Sequence, residues 1–364
     1  MKSILAQSFF VWVIVAWQCC PVTAQLQKRY LFHPEQNYGS ESQFSPFSVW
    51  INGSYDVLRN GGLGNDISNL SYSKGAANVP NNLAHPVKNI HQYNRESGHD
   101  FFSEQILPKD LNVERASWVP NYQSHFIGEG LITRELAEWY QMRGLPYPYV
   151  AAIFNVFAAQ FMNEVIENNN YQGNNIDPIA DIYIFNPLGW MLFAWDPAAN
   201  FFANTLHFAL WSPQPMLNPG NRNLSNAGEE YVIKVDMPGT ETFQAFYCWG
   251  IDGNIGLTKK WNKDWNISLG FGRVAEQLQY QSLVDSRFVS AKLEPQLIFF
   301  LDRNNSLLFS FAQVGLYELN FRCNIYPGLF KSSRFGGFLG ISPYTGTQIG
   351  LTYTLFPLGV YAGR

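Results

Sequence analysis

"YELNFRCNIY", residues 317–326, alternates apolar and polar side chains without a break. Tyr317, Leu319, Phe321, Cys323 and Ile325 share one parity; Glu318, Asn320, Arg322 and Asn324 share the other. Successive side chains of a strand point to opposite faces, so this run predicts a strand with one apolar and one polar side. "QIGLTYTLF", 348–356, repeats the pattern with Ile349, Leu351, Tyr353 and Leu355 against Gly350, Thr352 and Thr354. So do "WNISLGFGR", 265–273, and "FQAFYCWGI", 243–251. Turn signals separate these runs at Pro238-Gly239, Asp252-Gly253-Asn254, Asp302 to Asn305 and Pro343 to Gly346.

Working outward, the pattern predicts an antiparallel meander over 212–364 that closes into a membrane β-barrel of roughly ten to twelve strands. Residues 46–60 are expected to supply one or two of them. The competing architecture is a soluble sandwich, which would bury the apolar face against a second sheet; alternation alone does not separate the two. Glu318 and Arg322, on the polar face, either pair inside a lumen or are simply solvated. Cys248 sits on the small and polar face and Cys323 on the apolar one, so no disulfide between them is expected.

Composition agrees with the barrel. Only 14% of the 364 residues are charged and 16% are aromatic, whereas roughly 25% are charged in ordinary soluble domains. The mean hydropathy of -0.14 is too polar for a bundle of membrane helices. A net charge of -4 argues against a nucleic-acid partner. The start, "MKSILAQSFFVWVIVAWQCCPVTAQ", reads as a secretory signal over 1–24 with cleavage after Ala24. Cys19 and Cys20 raise a lipid anchor as the alternative. The expected location is the outer membrane, with its lipids as partners. The terminal "VYAGR" counts against that location, because such barrels often close on an aromatic residue.

Residues 25–120 are expected to hold a strand segment and a long polar loop. The loop spans 61–110, with His85, His91 and His99 scattered and solvent-facing. From 121 to 211 the period changes to that of helices. "QSHFIGEGLITRELAEWYQMR", 123–143, predicts a helix ended by Gly144. "YVAAIFNVFAAQFMNEVIENN", 149–169, predicts a second, apolar nearly all round, which must be buried in protein or lipid. Asn186-Pro187-Leu188-Gly189 reads as a turn between two apolar runs. "DPAANFFANTLHFALW", 196–211, reads as a helix N-capped by Asp196 and containing His207. The whole block is expected inside the barrel or at its periplasmic mouth.

The order "WVPNYQSHFIGEG", then "NEVIEN", then "DPIADIYIFNPLGWMLF" resembles an uncharacterised bacterial envelope family, catalogued as domain of unknown function 3943. The motif residues are Asn121, Tyr122, His125, Gly128, Glu164, Asp181, Asn186, Pro187 and Gly189. Trp190 departs from the second glycine common in that pattern. The resemblance implies a Gram-negative envelope protein linked to a barrel, and no activity.

The candidate site is His125 with Glu129, one helical turn apart, joined by Glu164 and Glu167 from the second helix. A His and a carboxylate on one helix face can bind a metal, and an i, i+3 carboxylate pair on a second helix can complete the shell. The plain alternative is a set of structural polar pairs satisfied by burial. For nucleophilic catalysis the residues offer little: Ser124 adjoins His125, Ser212 lies five after His207, and no G-x-S-x-G turn occurs. No phosphate loop, dinucleotide fingerprint or zinc ribbon appears, and no cofactor is indicated. The expectation is a non-enzymatic outer-membrane barrel serving transport, scaffolding or surface structure. The alternative is a hydrolase of lipid or another envelope substrate acting through His125 with Glu129 or Glu164.

Overall fold

The computed structural model describes residues 28–60, 64–98, 100–109, 116–169, 171–283, 286–315, 319–330, 333–343 and 346–363. The expected signal peptide, His99 and Glu318 lie outside the described residues.

The fold is mixed α+β, built on one thirteen-stranded, mostly antiparallel sheet. Its strands are β1 (Ala209–Leu210), β2 (Met216–Leu217), β3 (Leu224–Ser225), β4 (Tyr231–Asp236), β5 (Phe243–Trp249), β6 (Asp252–Lys260), β7 (Trp265–Leu283), β8 (Ser286–Arg303), β9 (Ser306–Val314), β10 (Phe321–Ile325), β11 (Phe335–Ser342), β12 (Gly346–Tyr353) and β13 (Phe356–Gly363). From β4 to β13 every strand pairs antiparallel with its sequence neighbour. The stretch from Ala209 to Leu217 touches both sides of this meander. Ala209 and Leu210 pair with β4, and Met216 and Leu217 pair in parallel with β13. Ladder pairing leaves the sheet order open at β1 and β3.

Each of the four alternating runs holds a strand, with shifts of boundary: "YELNFRCNIY" is strand only over Phe321–Ile325, and Tyr317 lies outside the described residues. "QIGLTYTLF" straddles the turn between β12 and β13, and the signal at 252–254 lies inside β6, the chain having turned at Gly250 and Ile251. Asn304 and Asn305 make the β8–β9 turn in the left-handed region, φ 49° and 66°, which asparagine tolerates. Cys248 and Cys323 are both free.

Burial on the sheet is inverted relative to a soluble sandwich. On β6, Asn254 and Thr258 are buried while Ile255 and Leu257 are more than half exposed. Leu269, Phe271, Ile349, Leu351 and Val360 are likewise exposed, and Ser268, Gln296, Arg322, Asn324, Gln348 and Thr352 are buried. Several of the buried polar groups bond to one another, Lys234 Nζ to Asp302 at 2.7 Å, Thr258 to Ser268 at 2.7 Å and Asn226 to Asn324 at 2.6 Å, whereas both amide atoms of Asn254 have no partner.

Residues 46–60 are not strand. Ser45 caps a helix, α1 (Pro46–Ser54), in a reciprocal pair with Ser48, with proline in the first turn. The stretch 61–110 is not a bare loop either. It holds α2 (Tyr72–Ala84) and α3 (Pro86–Ser97); His85, at the bend between them, and His91, on α3, are exposed. These two helices escape hydrophobic periodicity because part of what they bury is amide. Asn78 donates to Asn168 at 2.9 Å, Asn89 to Asn82 at 2.9 Å, and Asn82 to the Gly173 carbonyl at 3.1 Å.

Within 121–211, a π-helical stretch (Asn121–Gly128) leads into α4 (Glu129–Met142), and α5 (Pro148–Asn168) follows. A short helix (Asp177–Ala180) runs through a second π-helical stretch (Asp181–Phe185) into α6 (Asn186–Ala194). The expected turn at Asn186–Gly189 is therefore the first turn of α6. Pro187 lies at the junction, where its missing N–H falls at a change of pitch. The last predicted helix is shorter than 196–211. It runs over Asp196–Asn200 and a π-helical Phe201–Thr205, leaving His207 outside at φ 45°. Asp196 stands at its first turn rather than as a cap, and accepts from Arg134 at 2.8 Å.

Arg134 and Glu138 form a fully buried ion pair on α4. Glu138 also accepts from the backbone N–H of Tyr30, Leu31 and Phe32, which fastens the N-terminal segment to α4. Leu131, Leu136, Ala152 and Phe193 pack with Tyr231 and Trp249 in one core that joins the helices to the sheet. Further along, Gly39 and Ser40 bond to Pro327 and Leu307, and the Gln43 amide reaches Thr352, so this segment lines the polar side of the sheet.

Candidate functional site

Three helical segments each bring a pair of acid–base groups at helical spacing: His125 with Glu129, Glu164 with Glu167, and Asp177 with Asp181. His125 Nδ1 lies 2.6 Å from Glu129 Oε1, and Nε2 lies 3.4 Å from Asp181 Oδ2. Asp181 is in turn hydrogen-bonded to Glu164. Ligand atoms of Glu164, Glu167 and Asp177 all fall within 4.8 Å of one another. The structure thus gathers all four sequence candidates and adds Asp177 and Asp181. Asp177 was missed as a site residue; the signal that could have found it is its i, i+4 spacing to Asp181. Asp56 and Glu229 extend the acid cluster toward the sheet, where Tyr231 donates to Glu229.

The cluster is almost dry. Glu129, Glu164 and Asp181 are at most 3% exposed, and His125 reaches the surface with 17% of its side chain. Burial pushes His125 below the ordinary histidine value, against the pull of Asp177, Glu167 and Asp56. Burial likewise holds Glu129 and Asp181 well above the usual carboxylate range, with Asp56 and Asp177 adding to it respectively. Glu129 Oε2, Glu164 Oε2 and Asp181 Oδ1 are buried without a hydrogen-bond partner. A group of this kind holds protons or a cation rather than bare charge. A cavity of about 360 Å³ opens elsewhere, lined among others by Glu41, Glu135, His207, Lys234, Lys260 and Lys263.

The remaining motif residues weld the helices. A Cβ on Gly128 would meet the Tyr231 ring at 2.5 Å. One on Gly189 would come within 2.4 Å of the Phe126 carbonyl oxygen, so α6 packs directly on the π-helical stretch carrying His125. Asn121 donates to both the carbonyl and the side chain of Gln105. Tyr122 packs edge-on to Phe126 and Phe185. Asn186 is fully buried, and both its amide atoms lack a partner. Ser124 and Ser212 make no triad: His125 is held by carboxylates, and His207 faces Asp236 at 3.6 Å.

Comparison of the chain with family models, with curated proteins and with solved structures finds no match, so the likeness to the envelope family rests on the motif residues alone.

Proposed function

We propose that this chain is an integral outer-membrane protein with a non-enzymatic, structural role in the envelope, its sheet wrapping into a barrel around the N-terminal segment. The observation that carries the reading is the inverted sheet. Ile255, Leu257, Leu269, Phe271, Ile349 and Leu351 project outward, whereas Thr258, Ser268 and Gln348 are turned in and hydrogen-bonded. An apolar outer face is costly in water and favourable in lipid. The stretch 209–217, bonded to β4 and to β13, supports closure across the remaining gap. Residues 38–44 against the polar side of the sheet favour a scaffold or surface structure over an open pore. The helical block adds apolar surface of its own in Phe154, Trp195, Leu188 and Met191.

The test is extraction from membranes followed by electrophoresis with and without heating. Retention in carbonate-washed membranes, with a mobility shift on heating, is the expected result. A monomer that stays in solution without detergent would sink the reading.

The hydrolase reading draws on the His125–Glu129 contact, which resembles a base held by an orienting acid. Against it, both ring nitrogens of His125 already face carboxylates, which leaves neither for a substrate proton.

A further inference from the structure

The cavity of about 360 Å³ is lined by the N-terminal segment, α4, the stretch 203–210, the polar face of β4 to β7 and the β8–β9 turn. Its volume falls within the roughly 300–1,000 Å³ of small-molecule pockets. Its charges form two groups. Glu41 and Glu135 are acids near enough to act on one another, and Lys234 and Lys260 are cations near enough to do the same. Lys263 follows Lys260 in the turn before β7.

The two groups are supported differently. Lys234 bonds to Asp302 and Lys260 to Asp236, both at 2.7 Å. Those acids are fixed in turn by two more residues of the lining: Asn266 donates to Asp302 at 2.8 Å and Gln244 to Asp236 at 2.9 Å. Lys263 is exposed and has no acid partner among the described residues. The acids have no such support. Glu41 accepts one bond, from the His33 backbone N–H. Glu135 is only 3% exposed, and no described residue donates to its carboxyl. Arg134, its neighbour in the chain, is held by Glu138 and Asp196. A buried acid left in this way is costly when ionised unless a cation reaches it.

We propose that this cavity binds a small zwitterion of the amino-acid or short-peptide class, its ammonium group on Glu41 and Glu135 and its carboxylate on Lys260 and Lys263. The ammonium supplies the cation that the two acids lack. Lys263 supplies the positive charge that no protein acid cancels, beside a lysine already held in place. Burial and the neighbouring acids push both carboxyls up, Glu41 to about 8. An ammonium beside them favours their ionised form, so binding releases protons and tightens as the pH rises. His33 and His207 also line the cavity, with rings facing Glu35 at 3.4 Å and Asp236 at 3.6 Å. Their loss of charge acts against the carboxylate end, so a net rise in affinity marks the acids as the main contacts. The lining does not depend on the membrane reading.

The test uses the full chain, in detergent if the membrane reading holds and in buffer if it does not. It is screened for thermal shift against the common amino acids and a panel of di- and tripeptides, each at about 10 mM. The best is then measured by calorimetry. A raised melting temperature is expected with at least one of them. Affinity should increase by up to about tenfold per pH unit between about pH 6 and pH 7.5. Glu135→Gln and Lys263→Ala should each weaken binding, the first at least about tenfold. Lys259→Ala, on the opposite face of β6, should leave it unchanged. N-acetylation and C-terminal amidation of the ligand remove the same two contacts without altering the protein, so the test stands if Glu135→Gln does not fold. Folded protein that responds to no member of the panel overturns the proposal. So does a ligand that binds equally well after acetylation, or one whose affinity falls over that pH range.

Discussion

Glu41 shows how one side chain couples this fold to pH. It sits beside the 360 Å³ cavity, accepting from the His33 backbone N–H at 2.8 Å. Burial pushes its carboxyl up to about 8, the His33 contact pulls the other way, and Glu35 and Glu138 add to the rise. Glu135, which also lines the cavity, is raised by burial, with Glu41 and Glu138 adding to it. A carboxyl raised in the folded state favours folding while it is protonated. Its contribution is complete below the ordinary value of 4.5 and is lost as the pH climbs through about 8. Stability toward urea is therefore expected to fall between about pH 5 and pH 9, and Glu41→Gln should flatten that slope. An unchanged slope in the variant would place the titration elsewhere.

At the scale of elements, the packing of α6 on the His125 stretch turns on a glycine. Gly189→Ala would set a methyl against the Phe126 carbonyl, where the backbone approaches too closely to take it. The expected cost is about 1–3 kcal/mol, with a lower melting temperature. Gly337→Ala on β11, whose nearest neighbour would lie at 3.8 Å, is expected to change stability by less than about 0.5 kcal/mol. Equal effects at the two positions would contradict the close-packed junction. These elements also mark where local patterns stop working. α4 and α5 are legible because helical period and a closing Gly144 or proline start are local signals. α2 and α3 are not, because part of their buried face is asparagine, and the amides that satisfy it come from residues 168–175. The Ser45-Pro46 start of α1 is written in the sequence, but the apolar run after it reads equally as strand.

For the whole molecule, the decisive property is which face of the sheet meets the surroundings. Leu269, on the outward face of β7, is 57% exposed. In lipid, Leu269→Arg is expected to cost about 2–4 kcal/mol near the midplane, read as urea stability in vesicles. On a water-facing sheet the same substitution would stay within about 0.5 kcal/mol. The sequence by itself determined the strands at four alternating runs, in β5, β7, β10 and β12, and their two faces, because side-chain parity depends on the geometry of neighbouring residues alone. It also placed His125 beside Glu129, because a helical turn brings residues four apart together. Only the tertiary structure decided that the apolar face of the sheet is the uncovered one, since exposure depends on what packs against it. It alone brought Asp177 and Asp181 to His125 and Glu164, because that meeting is made by the packing of separate helical segments, not by spacing within one of them.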